Sequence, residues 1–276
     1  MKKTSVVWIC ESAVMIALST VLSLIKVVDM PFGGSVTAAS MVPVILVAYR
    51  YGFGRGIFVG VVYGLIQLLL SANTLSYATS FGAAVAIILY DYVLAFAALS
   101  FGGVFKKTIQ NQRTALTFGT LIACAVRYLF HVISGCTVWA GVSIPTSDGL
   151  SYSLVYNAAY MIPETIVTAA VVWYFASIID FGSERLGKAQ NIEKQTGLSV
   201  VMRAFSMMFA VGLAVFDAVA LFMSVQTKDG FDITAISKAP FTAMIIVTVI
   251  GAGISVICYF VSRLNNKDNN KNMLNN

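Results

Sequence analysis

Charge is what this sequence has least of. Only 11% of its 276 residues are Asp, Glu, Lys or Arg, less than half of the roughly 25% found in an ordinary soluble domain. So few charged groups cannot cover a globule of this size with water-facing side chains. In their place, apolar runs of about 20 residues recur along nearly the whole chain, each the length that crosses a hydrocarbon core. A soluble enzyme and a DNA-binding domain are therefore excluded, and the fold class expected is an all-α polytopic membrane protein. Chemistry-bearing motifs are scarce as well. Cys10, Cys124, Cys136 and Cys258 lie far apart in apolar stretches without a C-x-x-C pair, which leaves neither a metal-site spacing nor a disulfide framework. The glycines at Gly52, Gly54, Gly56, Gly60 and Gly64 are not followed by the Lys-Ser/Thr of a phosphate loop. No G-x-S-x-G turn supports a nucleophile, and no internal repeat is evident. After Lys2 and Lys3 the chain stays apolar to Val28 without a small-residue cleavage site, which predicts a retained first helix.

What is present is eight apolar segments, at about 6–27, 37–50, 55–72, 81–104, 115–139, 152–179, 203–225 and 241–262. The second is short and contains Pro43. The formal net charge of +6 reads as loop charge facing an anionic cytoplasmic leaflet, not as a nucleic-acid patch. Eight spans with both termini cytoplasmic place nearly all Lys and Arg on that side. Only Lys26, Lys228 and Lys238 fall outside, and Arg127 stays within a span. The expected organisation is a six-helix membrane domain over 1–180, a cytoplasmic linker over 181–202, a two-helix C-terminal hairpin over 203–262 and a disordered tail over 263–276 rich in Asn and Lys.

An ionisable side chain inside a bilayer needs a partner or a function. The spans hold Glu11, Asp91, Arg127, His131, Glu164 and Asp217. Glu11 lies near enough to the inner surface to reach it, and Asp217 stands alone, so both read as structural. Arg127 and His131 are four residues apart on one helix face, and Glu164 lies about as deep in its own span, which predicts a structural ion pair between Arg127 and Glu164. With the spans alternating in direction, Asp91, His131, Trp139, Tyr152 and Asn157 reach similar depths in the outer half of the membrane. An acid, an imidazole, an amide and aromatic rings together describe a pocket for a small, polar, aromatic and cationic ligand. Other readings remain open: a buried imidazole satisfied by a hydroxyl for His131, and the interfacial aromatic belt for Trp139 and Tyr152. Ala13 and Ala17, four apart in the first span, leave room for another helix to approach closely, inside the protein or from a partner.

Several runs carry a family resemblance. They are Gly33-Gly34-Ser35-Val36, Tyr63-Gly64-Leu65-Ile66-Gln67 and Asp91-Tyr92-Val93-Leu94, then Arg127-Tyr128-Leu129-Phe130-His131, and finally Tyr156-Asn157 through Ile162-Pro163-Glu164. In order and spacing these resemble the thiamine-specific substrate-binding (S) components of energy-coupling factor (ECF) transporters, over about residues 8–180. The resemblance implies a subunit that hydrolyses nothing, needs no cofactor and is not an enzyme. It would capture thiamine from outside and work with a transmembrane coupling subunit and two ATPase subunits in a bacterial plasma membrane. Position by position, it implies that Asp91, Tyr92, His131, Trp139, Tyr152 and Asn157 bind substrate, with Tyr77 from the preceding loop, and that Ala13 and Ala17 dock the coupling subunit. The alternatives are an S component for another vitamin or nucleobase-like compound and an intramembrane enzyme using His131 with Ser134 or Asp91.

Overall fold

The computed structural model describes residues 3–30, 33–78, 80–139, 146–183, 186–188, 197–227, 230–231 and 233–274. The loop at Gly141–Pro145, linker residues Glu184, Arg185, Glu193 and Lys194, and the residues Lys228, Asp229 and Asp232 lie outside these residues. The chain divides into two compact units, 1–187 and 188–276.

The first unit opens with helix α1 (Lys3–Leu24), then the antiparallel strands β1 (Lys26–Asp29) and β2 (Ser35–Thr37). Their register pairs Lys26 with Thr37 and Asp29 with Ser35, with an irregularity between Lys26 and Val28. Helix α2 (Val42–Tyr51) carries Pro43 in its first turn, where the missing N–H is no loss. Every residue from Val42 to Tyr49 is buried, as a helix apolar on all faces should be. The segment read as a span over 37–50 holds less helix than expected: Thr37 belongs to β2, and α2 has ten residues, about 15 Å in length. Gly52, at φ +92°, turns the chain from α2 into α3 (Phe53–Leu70).

After 3-10 turns over Ala72–Tyr77, the fourth apolar segment forms a rod of changing pitch. It runs through α4 (Phe81–Ala86), π-helical turns over Ile87–Leu94, α5 (Ala95–Ala97) and 3-10 turns over Ala98–Gly103. Helices α6 (Gln112–Trp139) and α7 (Thr146–Ile178) complete the unit. Ile45, Val59, Leu99, Leu116 and Val172 lie fully buried in the core around α2. One end is tied by polar contacts. Arg50 Nε lies 2.8 Å from the Glu11 carboxylate, which Tyr51 also engages through its hydroxyl, and Arg50 Nη1 donates to the Ser183 carbonyl at 2.9 Å. Lys106 donates to the Arg50 carbonyl at 3.0 Å, and burial together with the nearby Arg50 guanidinium holds its pKa below the usual lysine value.

In the second unit α8 (Gly197–Val225) packs antiparallel against α9 (Phe241–Leu274). Ser262 donates to the Ser199 carbonyl at 2.8 Å, Ser255 to the Ser206 carbonyl at 2.8 Å, and Thr248 to the Asp217 carboxylate at 2.9 Å. Thr248, Ser255 and Ser262 recur at heptad spacing, so they form one seam along α9. Two boundaries differ from expectation. Helix α8 begins within the segment read as linker, because the apolar pattern already starts at Leu198. The tail read as disordered continues α9 to Leu274; no Pro or Gly follows Gly253 to stop it. Six helices among the described residues are long and apolar enough to cross a membrane: Val6–Leu24, Phe53–Leu70, Phe81–Gly103, Gln112–Cys136, Gly149–Ile178 and Phe241–Asn265.

Candidate functional site

Inside the first unit lies a cavity of about 160 Å³, walled by β2, α3, the π-helical segment, α6 and α7. A single water needs only about 10–15 Å³ of such space, so the cavity is sized for a small molecule. The Asp91 carboxylate, carried by the π-helical turns, lines it. One oxygen lies 2.8 Å from His131 Nδ1, and the other accepts the Ser134 hydroxyl at 2.6 Å. His131 and Ser134 present one face of α6 to it, as spacing of three residues requires.

Arg127, one turn before His131, donates from Nε to His131 Nε2 at 3.1 Å. A guanidinium is only a donor, so Nε2 must accept, and the ring proton then resides on Nδ1 and points at Asp91. The hydrogen-bond network therefore assigns a neutral His131 as an N–H donor to an acceptor carboxylate. Arg127 also stacks over the Phe96 ring, with its carbon 4.2 Å from the centroid, an arrangement that favours a weakly hydrated planar cation.

The opposite wall comes from α7. Tyr152, Tyr156 and Tyr160 are each four residues apart and form a ladder. Tyr152 stacks on Tyr156 with centroids 5.7 Å apart, and Tyr160 meets His131 edge to face at 6.1 Å. Asn157 sits among them, held by its amide N–H donating to the Ser153 carbonyl at 2.8 Å and by its Oδ1 accepting the Tyr160 hydroxyl at 2.6 Å. Gly34 closes the wall from the β1–β2 connection, where its N–H donates to the Tyr156 hydroxyl at 3.0 Å. A Cβ there would lie 2.6 Å from the Tyr160 ring, so only glycine lets the strand approach this closely.

At the far end of the cavity the Glu164 carboxylate, 3% exposed, accepts both the backbone N–H and the hydroxyl of Thr37, each at 2.6 Å. This corrects the expected ion pair. Arg127 and Glu164 line the same cavity but lie beyond salt-bridge distance; Thr37 satisfies Glu164 while His131 and Phe96 engage Arg127.

Of the residues singled out in the sequence, Asp91, Tyr92, His131, Asn157 and Tyr77 line the cavity. Tyr92 is fixed by a 2.8 Å contact between its hydroxyl and that of Thr74. Tyr152 stands one ring removed, behind Tyr156. Trp139 ends α6, and its side chain lies outside the described residues. Sequence reasoning missed Tyr156, Tyr160, Lys26, Gln67 and Thr74 as lining residues. The two tyrosines had a signal, their spacing of four from Tyr152; the others come from β1, α3 and the 3-10 turns with none. Ala13 and Ala17 are exposed on α1, while Ser12 and Ser19 turn their buried side into the unit. The Ser134 hydroxyl donates to the Asp91 carboxylate at 2.6 Å.

Comparison with known proteins follows the same outline. A curated thiamine transporter, ThiT of Bacillus subtilis (strain 168), is 32% identical over 173 residues, covering 59% of this chain and 86% of its own. A solved structure of ThiT from Listeria monocytogenes matches with a TM-score of 0.51 at 24% identity, covering 63% of this chain and 95% of that one, a likeness of fold. The profile of the thiamine transporter protein family matches residues 9–180, more than half of the sequence. The chain therefore belongs to the thiamine transporter protein family, a multi-pass membrane transporter and not an enzyme.

Proposed function

We propose that this chain is the substrate-binding S component of an ECF-type importer and that it captures thiamine in the cavity lined by Asp91. The observation that carries the reading is the convergence of Asp91, His131 and Asn157 on one ligand-sized space in a chain of this family. Thiamine joins a permanently cationic thiazolium to an aminopyrimidine. The cation suits the faces of Tyr156, Tyr160 and Trp139 and the negative charge of Asp91. The donor and acceptor edge of the pyrimidine suits an imidazole held neutral, an amide and a carboxylate. Tyr92, Tyr152 and Tyr77 complete the binding residues in this reading.

The proposed topology has eight spans with both termini cytoplasmic, a binding domain over 1–180 and an appended hairpin over 203–262. In this arrangement the cavity opens outward and the Glu11–Arg50 end faces inward, toward the coupling subunit and two ATPase subunits that supply the energy. Exposure of Ala13 and Ala17 on α1 supports docking there, since small residues let a partner helix approach closely. Titration of the purified full chain with thiamine, without ATP or other subunits, tests the capture step. Saturable binding is expected, and a saturable response to another vitamin but none to thiamine would overturn the assignment. Docking is tested separately by Ala13→Trp, which should leave thiamine binding intact and abolish uptake in cells.

A further inference from the structure

The glycines of α3 that carry no phosphate-loop chemistry have a structural counterpart. Gly56, Gly60 and Gly64 are four residues apart and form one ridge. A Cβ on Gly64 would fall 2.2 Å from the Tyr92 carbonyl oxygen, and one on Gly60 would fall 2.4 Å from that of Phe96. No side chain fits at those distances, so the α3 backbone and the following rod touch directly, an approach that small residues alone permit. Gly56 also packs tightly, but against Ala48 Cβ at 2.7 Å, away from the π-helical turns.

The contact falls at the segment that aims the Asp91 carboxylate. Over Ile87–Leu94 the rod is π-helical, and the Ala95 N–H donates to the Tyr90 carbonyl five residues back. Such wide turns are rare, and intrinsic hydrogen bonding does not favour them, so surrounding packing has to select them. Within this stretch Asp91 reaches toward α6 to meet His131 and Ser134. The next residue turns its carbonyl onto Gly64 and its ring hydroxyl onto Thr74. The peptide that rests on Gly64 is therefore Tyr92–Val93, which begins one residue after Asp91.

We infer that Gly64, supported by Gly60, is a positioning residue for substrate capture: the glycine ridge seats the π-helical turns so that Asp91 meets His131, Ser134 and the ligand. This rests on the reading that the cavity binds thiamine. Glycine is a poor helix former, so Gly60 and Gly64 within α3 stand against propensity and are explained by the carbonyls they admit. A methyl group at position 64 would push the Tyr92 peptide away and carry the Asp91 carboxylate with it, and a binding constellation tolerates only about 0.5 Å of such displacement.

The test is equilibrium binding of radiolabelled thiamine to purified full-length variants, with thermal stability measured in parallel. Gly64→Ala should weaken binding by about tenfold or more, Gly60→Ala by about threefold or more, and Gly56→Ala by less than about threefold even though it lowers stability. A purely structural role would scale with stability at all three positions. In an Asp91→Asn background Gly64→Ala should add less than about threefold, because its effect passes through that carboxylate. If Gly64→Ala does not fold, Gly60→Ala decides by the same two comparisons. Equal losses at the three glycines, a Gly64→Ala chain that binds like the unsubstituted one, or a loss undiminished with Asn at position 91 would overturn the inference. Failure of the unsubstituted chain to bind thiamine is a different outcome and would overturn the assigned substrate instead.

Discussion

The two units of this protein treat polar side chains within apolar helices in opposite ways. In the second unit they meet one another along a seam: Ser199 with Ser262, Ser206 with Ser255, and Asp217 with Thr248. Each of these donors finds its acceptor on the neighbouring helix. In the first unit the strongest polar groups converge on a cavity. Asp91 lies there with its side chain 25% exposed, held on one side by His131 and Ser134 and open on the other. A polar residue satisfied across a helix seam holds two helices together; one satisfied on one side only is poised for a ligand. That difference separates Asp91 from Asp217, which sequence position alone presents as two similar intramembrane acids.

Substitutions can break the comparison at either end. The largest effects belong to the cavity: Asp91→Asn and His131→Ala should each weaken thiamine binding by about 2 to 5 kcal/mol, roughly thirtyfold or more, because each leaves a buried partner unmatched. Isothermal titration of folded variants reads this directly. Next comes the tie at the far end. Thr37→Val removes the hydroxyl that donates to Glu164 but keeps the backbone N–H, and a buried carboxylate missing one donor should cost about 1 to 3 kcal/mol of stability, seen as a lower midpoint in thermal unfolding.

Smaller effects belong to the second unit. A chain ending at Gly187 should insert and bind thiamine within about tenfold of the full chain, a change below roughly 1.4 kcal/mol, as measured by radioligand binding on monodisperse protein. Smallest of all, Thr248→Ala should cost the helix pair about 0.6 kcal/mol, the average of hydrogen bonds between membrane helices, and leave thiamine affinity unchanged in the same binding assay.

Much of this was legible in the sequence, and the parts that were not share a cause. Helical spacing of four placed Arg127 beside His131, and apolar length gave the long helices at nearly their final positions. Spacing along one helix says nothing about which distant residue satisfies a charge. Depth in the spans matches Glu164 to Arg127, yet its partner is Thr37, 127 residues away on a three-residue strand. The shortness of α2 is hidden because an all-apolar composition does not show where a helix begins. The π-helical turns around Asp91 leave no mark in composition or periodicity. They depend on the close approach of α3, and the glycines that permit it read in isolation only as a motif that failed.

The decisive measurement is a side-by-side titration of Asp91→Asn and Asp217→Asn with thiamine, each as the full chain and each checked for folding. Both substitutions neutralise one intramembrane carboxylate with almost no change in shape. Asp217→Asn should bind within about twofold of the unsubstituted chain, while Asp91→Asn loses roughly thirtyfold or more. Comparable losses in two folded variants would contradict the separation of a cavity acid from a seam acid, and with it the placement of the substrate site in the first unit.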